Sequence, residues 1–177
     1  MLGALACAWQ ACATPPGEPV FRILNRDDGL PSNQVQALTL DGAGRLWIGT
    51  GFGLARFDGH EMRTWLPRAD DPGSLASGSV EALLTDPRGG IWVGTEGGNL
   101  ARFDPALESF VRIPLSAVAA NESVEIWSLT ANAESVYAGT YGAGILELGY
   151  DGQVRRRLGP ADGLTDSDIV DILASGE

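Results

Sequence analysis

The residues able to do chemistry in this chain are few, and each sits in a context that limits what it could do. Two carboxylate pairs, Asp27-Asp28 and Asp70-Asp71, are the residue type a glycosidase needs. That reaction requires one carboxyl with a raised pKa, at about 5–10 Å from its partner. Both pairs lie in polar connections where adjacent charges are simply hydrated. The run Gly49-Thr50-Gly51-Phe52-Gly53 has the glycine content of a dinucleotide loop. It lies between two strand-like segments, however, and no helix N-terminus follows to receive a phosphate. It is read as a hairpin.

Thr39-Leu40-Asp41-Gly42-Ala43-Gly44 invites reading as a calcium loop or a sialidase Asp-box, but an Asp-Gly turn whose carboxylate takes nearby backbone amides accounts for it without metal. His60 is the only histidine and stands beside Gly59, with nothing nearby to complete a metal site or a triad. Arg155-Arg156-Arg157 falls on an expected outer strand, where charge blocks edge pairing. All twelve basic residues are arginine, so lysine-dependent chemistry is excluded for this chain. No catalytic residue, metal ligand or cofactor site is assigned, and the binding residues are left unknown. Loops such as Asp27–Asn33 and Ser74–Ser79 are the better ligand candidates, because binding residues concentrate on loops carried by a rigid scaffold.

The elements that carry these residues follow from a repeat. Trp47-Ile48-Gly49-Thr50 returns as Trp92-Val93-Gly94-Thr95 and as Tyr137-Ala138-Gly139-Thr140, each time 45 residues on. Val35, Val80, Val124 and Ile169 are read as one phase, with Leu38, Leu83, Trp127 and Ile172 three residues after them. Leu54-Ala55-Arg56-Phe57-Asp58 recurs as Leu100-Ala101-Arg102-Phe103-Asp104. Each period divides into four short apolar runs bounded by glycine and other turn residues, a strand signature and not a helical one. Four antiparallel strands in about 45 residues make the blade of a β-propeller.

The expected fold is therefore all-β, a partial propeller of about three and a half blades at about 34–66, 79–113 and 123–158, with a fourth beginning at 168. Val20–Leu24 is expected as an outer strand of an earlier blade and Asp168–Leu173 as an inner strand of the next, fourteen strands in all. The tryptophans Trp47, Trp92 and Trp127 are expected in the wedges between blades. Arg56 and Arg102 are expected near the rim, reaching solvent. The repeat stops in mid-unit, so the chain is expected to be a fragment, or to close a ring with further copies.

Composition narrows the class. At 44% hydrophobic and 20% charged the chain is globular, and its net charge of −11 argues against nucleic acid as a partner. Both cysteines, Cys7 and Cys12, fall in the apolar run 1–13, which ends Ala11-Cys12-Ala13 and reads as a truncated export signal followed by a linker at 14–19.

The phase Asp28-Gly29-Leu30-Pro31-Ser32-Asn33-Gln34-Val35, then Asp41, Gly44-Arg45-Leu46-Trp47-Ile48-Gly49-Thr50 and Phe57-Asp58-Gly59, resembles the two-component regulator propeller repeat. The second pass matches through Gly73-Ser74-Leu75, Val80, Asp86 and Gly90-Ile91-Trp92-Val93-Gly94-Thr95, and Asp162-Gly163-Leu164 opens a fourth. The third is degenerate, with Tyr137 in place of Trp. The resemblance implies a non-catalytic sensor region on the periplasmic side of the inner membrane. Its parent would carry a histidine kinase or diguanylate cyclase output, and its ligand would be an oligosaccharide. Two other classes compete: a scaffold for protein–protein interaction, and a carbohydrate-active propeller enzyme.

Overall fold

The computed structural model describes residues 21–115 and 124–174. The leader-like segment 1–13 and the linker 14–19 lie outside them. Twelve strands form three separate four-stranded antiparallel sheets, each in plain sequence order. The first holds β1 (Val35–Leu40), β2 (Leu46–Thr50), β3 (Gly53–Phe57) and β4 (Met62–Trp65). The second holds β5 (Val80–Thr85), β6 (Ile91–Thr95), β7 (Asn99–Asp104) and β8 (Ser109–Ile113). The third holds β9 (Glu125–Ala131), β10 (Val136–Tyr141), β11 (Ile145–Leu148) and β12 (Val154–Leu158). The first strands pack in series, β1 on β5 and β5 on β9, so they are the innermost strands of neighbouring blades.

The blades are held by two inter-blade cores. Trp47 of β2 stacks on Trp65 and meets the edge of Phe103 from the second blade at 4.9 Å. Trp92 lies in the equivalent seam with Tyr150, Leu146 and Leu148 of the third blade. A glycine two residues after Trp47, Trp92 and their third-blade counterpart Tyr137 makes room for the next inner strand. A Cβ on Gly49 would meet Val80, one on Gly94 would meet Ile126, and one on Gly139 would meet Ile169, all under 3.0 Å.

That last set corrects the third-pass register. In the ladder, Val35 faces Thr50, Val80 faces Thr95 and Ile126 faces Thr140. Ile126, not Val124, is thus the third member of the phase, and Leu129, not Trp127, is the counterpart of Leu38 and Leu83. The hairpin Asn132–Ser135 is one residue shorter than Asp86–Gly90, so the strand pairs drift relative to the repeat.

Trp127 consequently lies outside the blade core. It is the extra residue of a bulge between Ile126 and Ser128 and is 38% exposed. Arg56 and Arg102 also depart from expectation. Both are half-buried, and their guanidinium groups lie over Trp47 and Trp65 at 5.5 Å and over Trp92 at 5.9 Å. A planar, weakly hydrated cation gains more on an indole face than in water, so these side chains fold into the seam.

Neither terminal run is a strand among the described residues, from which Val20 is excluded. Residues 21–24 and 168–173 join none of the three sheets. Phe21 is left 88% exposed. The 168–173 segment nevertheless lies where an inner strand belongs: the Ile169 amide donates to the Thr140 carbonyl at 2.8 Å, and the Ala174 amide to Thr130 Oγ1 at 3.1 Å.

Candidate functional site

Each blade has two polar ends, and the hairpins define them. At one end lie the turns between first and second strands. The Asp41 carboxylate accepts from the amides of Ala43 at 2.9 Å and Arg45 at 3.1 Å, from Arg45 Nε at 2.7 Å and from Trp47 Nε1 at 2.9 Å. Asp86 does the same with the amides of Arg88 and Gly90 and with Trp92 Nε1 at 2.7 Å. The carboxylate is therefore a brace that caps a turn and fixes the blade-filling indole. An indole N–H can only donate, so it needs an acceptor six residues upstream. The third blade keeps the brace with its polarity changed. Asn132 caps the turn, and its Nδ2 lies 3.3 Å from the Tyr137 hydroxyl, which can accept.

Burial pushes the Asp41 carboxyl up, but the hydrogen bonds from Trp47 and Arg45 outweigh it and hold the group below the ordinary aspartate value. A carboxyl with a lowered pKa in the folded state stabilises fully above the unfolded-state value of 3.8, and that contribution is lost as pH falls through the folded value. Asp41→Asn should therefore lower stability at neutral pH by about 1–3 kcal/mol. The gap to the parent should close below about pH 3.8, which urea unfolding across pH measures.

Other charged candidates are occupied structurally. Asp27 and Asp28 lie in a 3₁₀ turn, Arg26–Asp28, where Asn25 Oδ1 accepts from the Asp27 amide at 2.7 Å. Asp28 accepts from the Asn25 amide at 3.1 Å, and Asp162 repeats this on Gly159 at 3.0 Å. Asp71 caps Gly73 at 2.9 Å, and Asp70 is exposed beside it. His60 is an exposed turn residue whose amide donates to Asp58. Gly49–Gly53 forms the β2–β3 hairpin, with Thr50 Oγ1 donating to the Gly53 carbonyl at 2.8 Å. Arg155 donates to Ser135, Arg156 pairs with Asp162 at 3.1 Å, and Arg157 donates to the Ala143 carbonyl at 2.8 Å. Among the described residues, no group of three His, Cys, Asp or Glu side chains comes together as a metal cluster would.

The opposite end carries the connections between blades and the β2–β3, β6–β7 and β10–β11 turns. The two loops picked out from sequence both lie here, and much of their polarity is used internally. Asn33 Oδ1 accepts from the Arg26 amide, and Ser74 Oγ donates to the carbonyls of Arg68 and Asp71. Towards the innermost strands, each blade presents one bulge residue: Gln36, Glu81 and Trp127. Gln36 Nε2 donates to Glu81 at 3.0 Å and to Ser79 Oγ at 3.1 Å, a polar bridge between blades one and two. Trp127 instead stacks on Tyr141, with ring centroids 5.1 Å apart and planes 26° from parallel. Its Nε1 donates to Glu125 at 3.2 Å. Sequence reasoning missed this aromatic pair because it placed Trp127 in the core. Counting back from Thr140 to its partner, with the shorter turn allowed for, would have found it.

Residues 29–52 and 74–97 match the family model described as the two component regulator propeller. The fold is shared with the extracellular domain of BT4673 from B. thetaiotaomicron, described in one structure as a hybrid two component system and in another as a one component system. The first structure has a TM-score of 0.60 at 23% identity, covering 70% of this chain and 16% of that one. The second has a TM-score of 0.61 at 20% identity, covering 80% and 21%. At these identities the likeness is one of fold, and the chain spans about a fifth or less of those domains. No curated protein sequence matches the chain.

Proposed function

We propose, from the two-component regulator propeller repeats at 29–52 and 74–97, that this chain is a segment of an extracytoplasmic sensor propeller in a signal-transduction protein. It binds an oligosaccharide and performs no chemistry on it. The observation that carries the reading is the repeat match on two passes of a propeller fold. Asp41 and Asp86 have the structural work of capping turns and bracing indoles. In this reading the chain is part of a longer protein that holds the remaining blades and an output domain, and a captured ligand acts by binding one arrangement of that protein better than another.

The test is ligand-induced stabilisation of the chain across a glycan panel, with product analysis of every mixture. A bound glycan at a hundred times its Kd should raise stability by about 2.7 kcal/mol, read as a higher Tm. It should be recovered intact. Hydrolysis or elimination of the glycan would overturn the non-catalytic reading, and stabilisation by a protein partner with no glycan response would favour the scaffold.

A further inference from the structure

The bulge on β9 puts an aromatic pair where the other blades put a polar link. An extra residue in one strand re-aims its side chain, and bulges recur beside binding sites for that reason. At the same position Gln36 and Glu81 satisfy each other across the first seam. Trp127 has no such bridge. It stays 38% exposed, stacked on Tyr141, which is 47% exposed. Two stacked rings that stay exposed together form a small apolar patch with flat faces on which a ligand can lie.

Their surroundings say what could. Glu125 is the cross-strand partner of Tyr141 and accepts from the Trp127 indole. Asp168 accepts from the amide of Gly142, the residue after Tyr141, at 2.9 Å. Each carboxylate can accept further hydrogen bonds. Neither is in an ion pair among the described residues, and Glu81 adds a further carboxylate on the neighbouring inner strand, at the bulge position that Trp127 holds on β9. The nearby Arg157 guanidinium is directed to the carbonyls of Ala143 and Gly142.

We infer that Trp127 and Tyr141 form a stacking platform for a sugar ring of an uncharged saccharide, with Glu125 and Asp168 accepting from its hydroxyl groups. A sugar's apolar C–H face suits an indole or phenol ring, and its rim of hydroxyls suits carboxylates beside that ring. Carboxylates on both flanks repel a uronate or sulfate. This inference rests on the sensor reading above and locates its site.

The full chain would be titrated with maltohexaose, cellohexaose, xylohexaose and mannohexaose, and with hexagalacturonate as the anionic probe. Calorimetry and tryptophan fluorescence would report binding. One neutral hexasaccharide should bind and perturb the fluorescence, and Trp127→Ala and Tyr141→Ala should each weaken it about tenfold. Trp127→Phe should retain most of the affinity. Urea midpoints of all three variants should stay near the parent's, separating lost binding from lost fold. A neutral glycan that binds both alanine variants as well as the parent would overturn the platform and leave the sensor reading standing. Preference for hexagalacturonate would overturn the uncharged class. Silence across the panel would overturn the platform together with the glycan reading.

Discussion

Trp92→Ala is expected to remove about 3–5 kcal/mol of stability, the range for deleting a fully buried aromatic. Trp92 is 0% exposed and fills the seam between the second and third blades, so the cavity would open inside the larger core cluster. The deletion also strands the Asp86 carboxylate, which loses the indole donor at 2.7 Å in a buried place. A lost donor at a buried acceptor adds to the cavity term. Total stabilities of domains this size are about 5–15 kcal/mol, so the variant should be partly unfolded at room temperature or melt many degrees lower. Urea unfolding by circular dichroism measures it. Trp127→Ala in the same experiment should cost under about 1 kcal/mol, as expected of an exposed side chain outside the core. Equal losses for the two would restore Trp127 to the core and overturn the register described above.

That contrast marks where sequence reading stopped. The hairpins were legible because glycine-bounded apolar runs returned every 45 residues, and Trp47 and Trp92 announced the seams. In the third pass Val124, Glu125 and Ile126 place apolar residues two apart. A strand's faces repeat every two residues, so a slip of two leaves the same face apolar and the pattern cannot object. What distinguishes the registers is the pairing Ile126 with Thr140 and the bulge after it, and pairing across strands is not written in local periodicity. The indole brace was half legible. Asp41 read as a turn cap, but the partner six residues on lay across the hairpin. The two terminal runs have strand-like sequences, yet a strand exists only with a partner, and β-propensity says nothing about whether the partner is there.

Gly98→Ala is expected to be the most damaging small substitution, because two costs coincide at one atom. Gly98 has φ +73°, a left-handed conformation that costs a side-chain-bearing residue about 1–2 kcal/mol. In addition, a Cβ there would fall on the backbone carbonyl of Val124, at the entry to β9 in the next blade. A flexible side chain could swing away from such a contact, whereas a backbone carbonyl moves only if the strand moves with it. The third blade would have to back away from the second, loosening Trp92 and Ile126 together. The loss should be about 3 kcal/mol or more, the sum of strain and overpacking. Gly97 supplies the control. Its φ is +78°, nearly the same, but a Cβ there meets only the Asn99 side-chain amide at 3.4 Å. Gly97→Ala should therefore show the conformational cost alone, about 1–2 kcal/mol. Urea midpoints of the two variants separate the terms. A Gly98 variant no worse than the Gly97 variant would mean that the blade seam yields at the β9 entry, and that the close approach of the two backbones is not what fixes the third blade to the second.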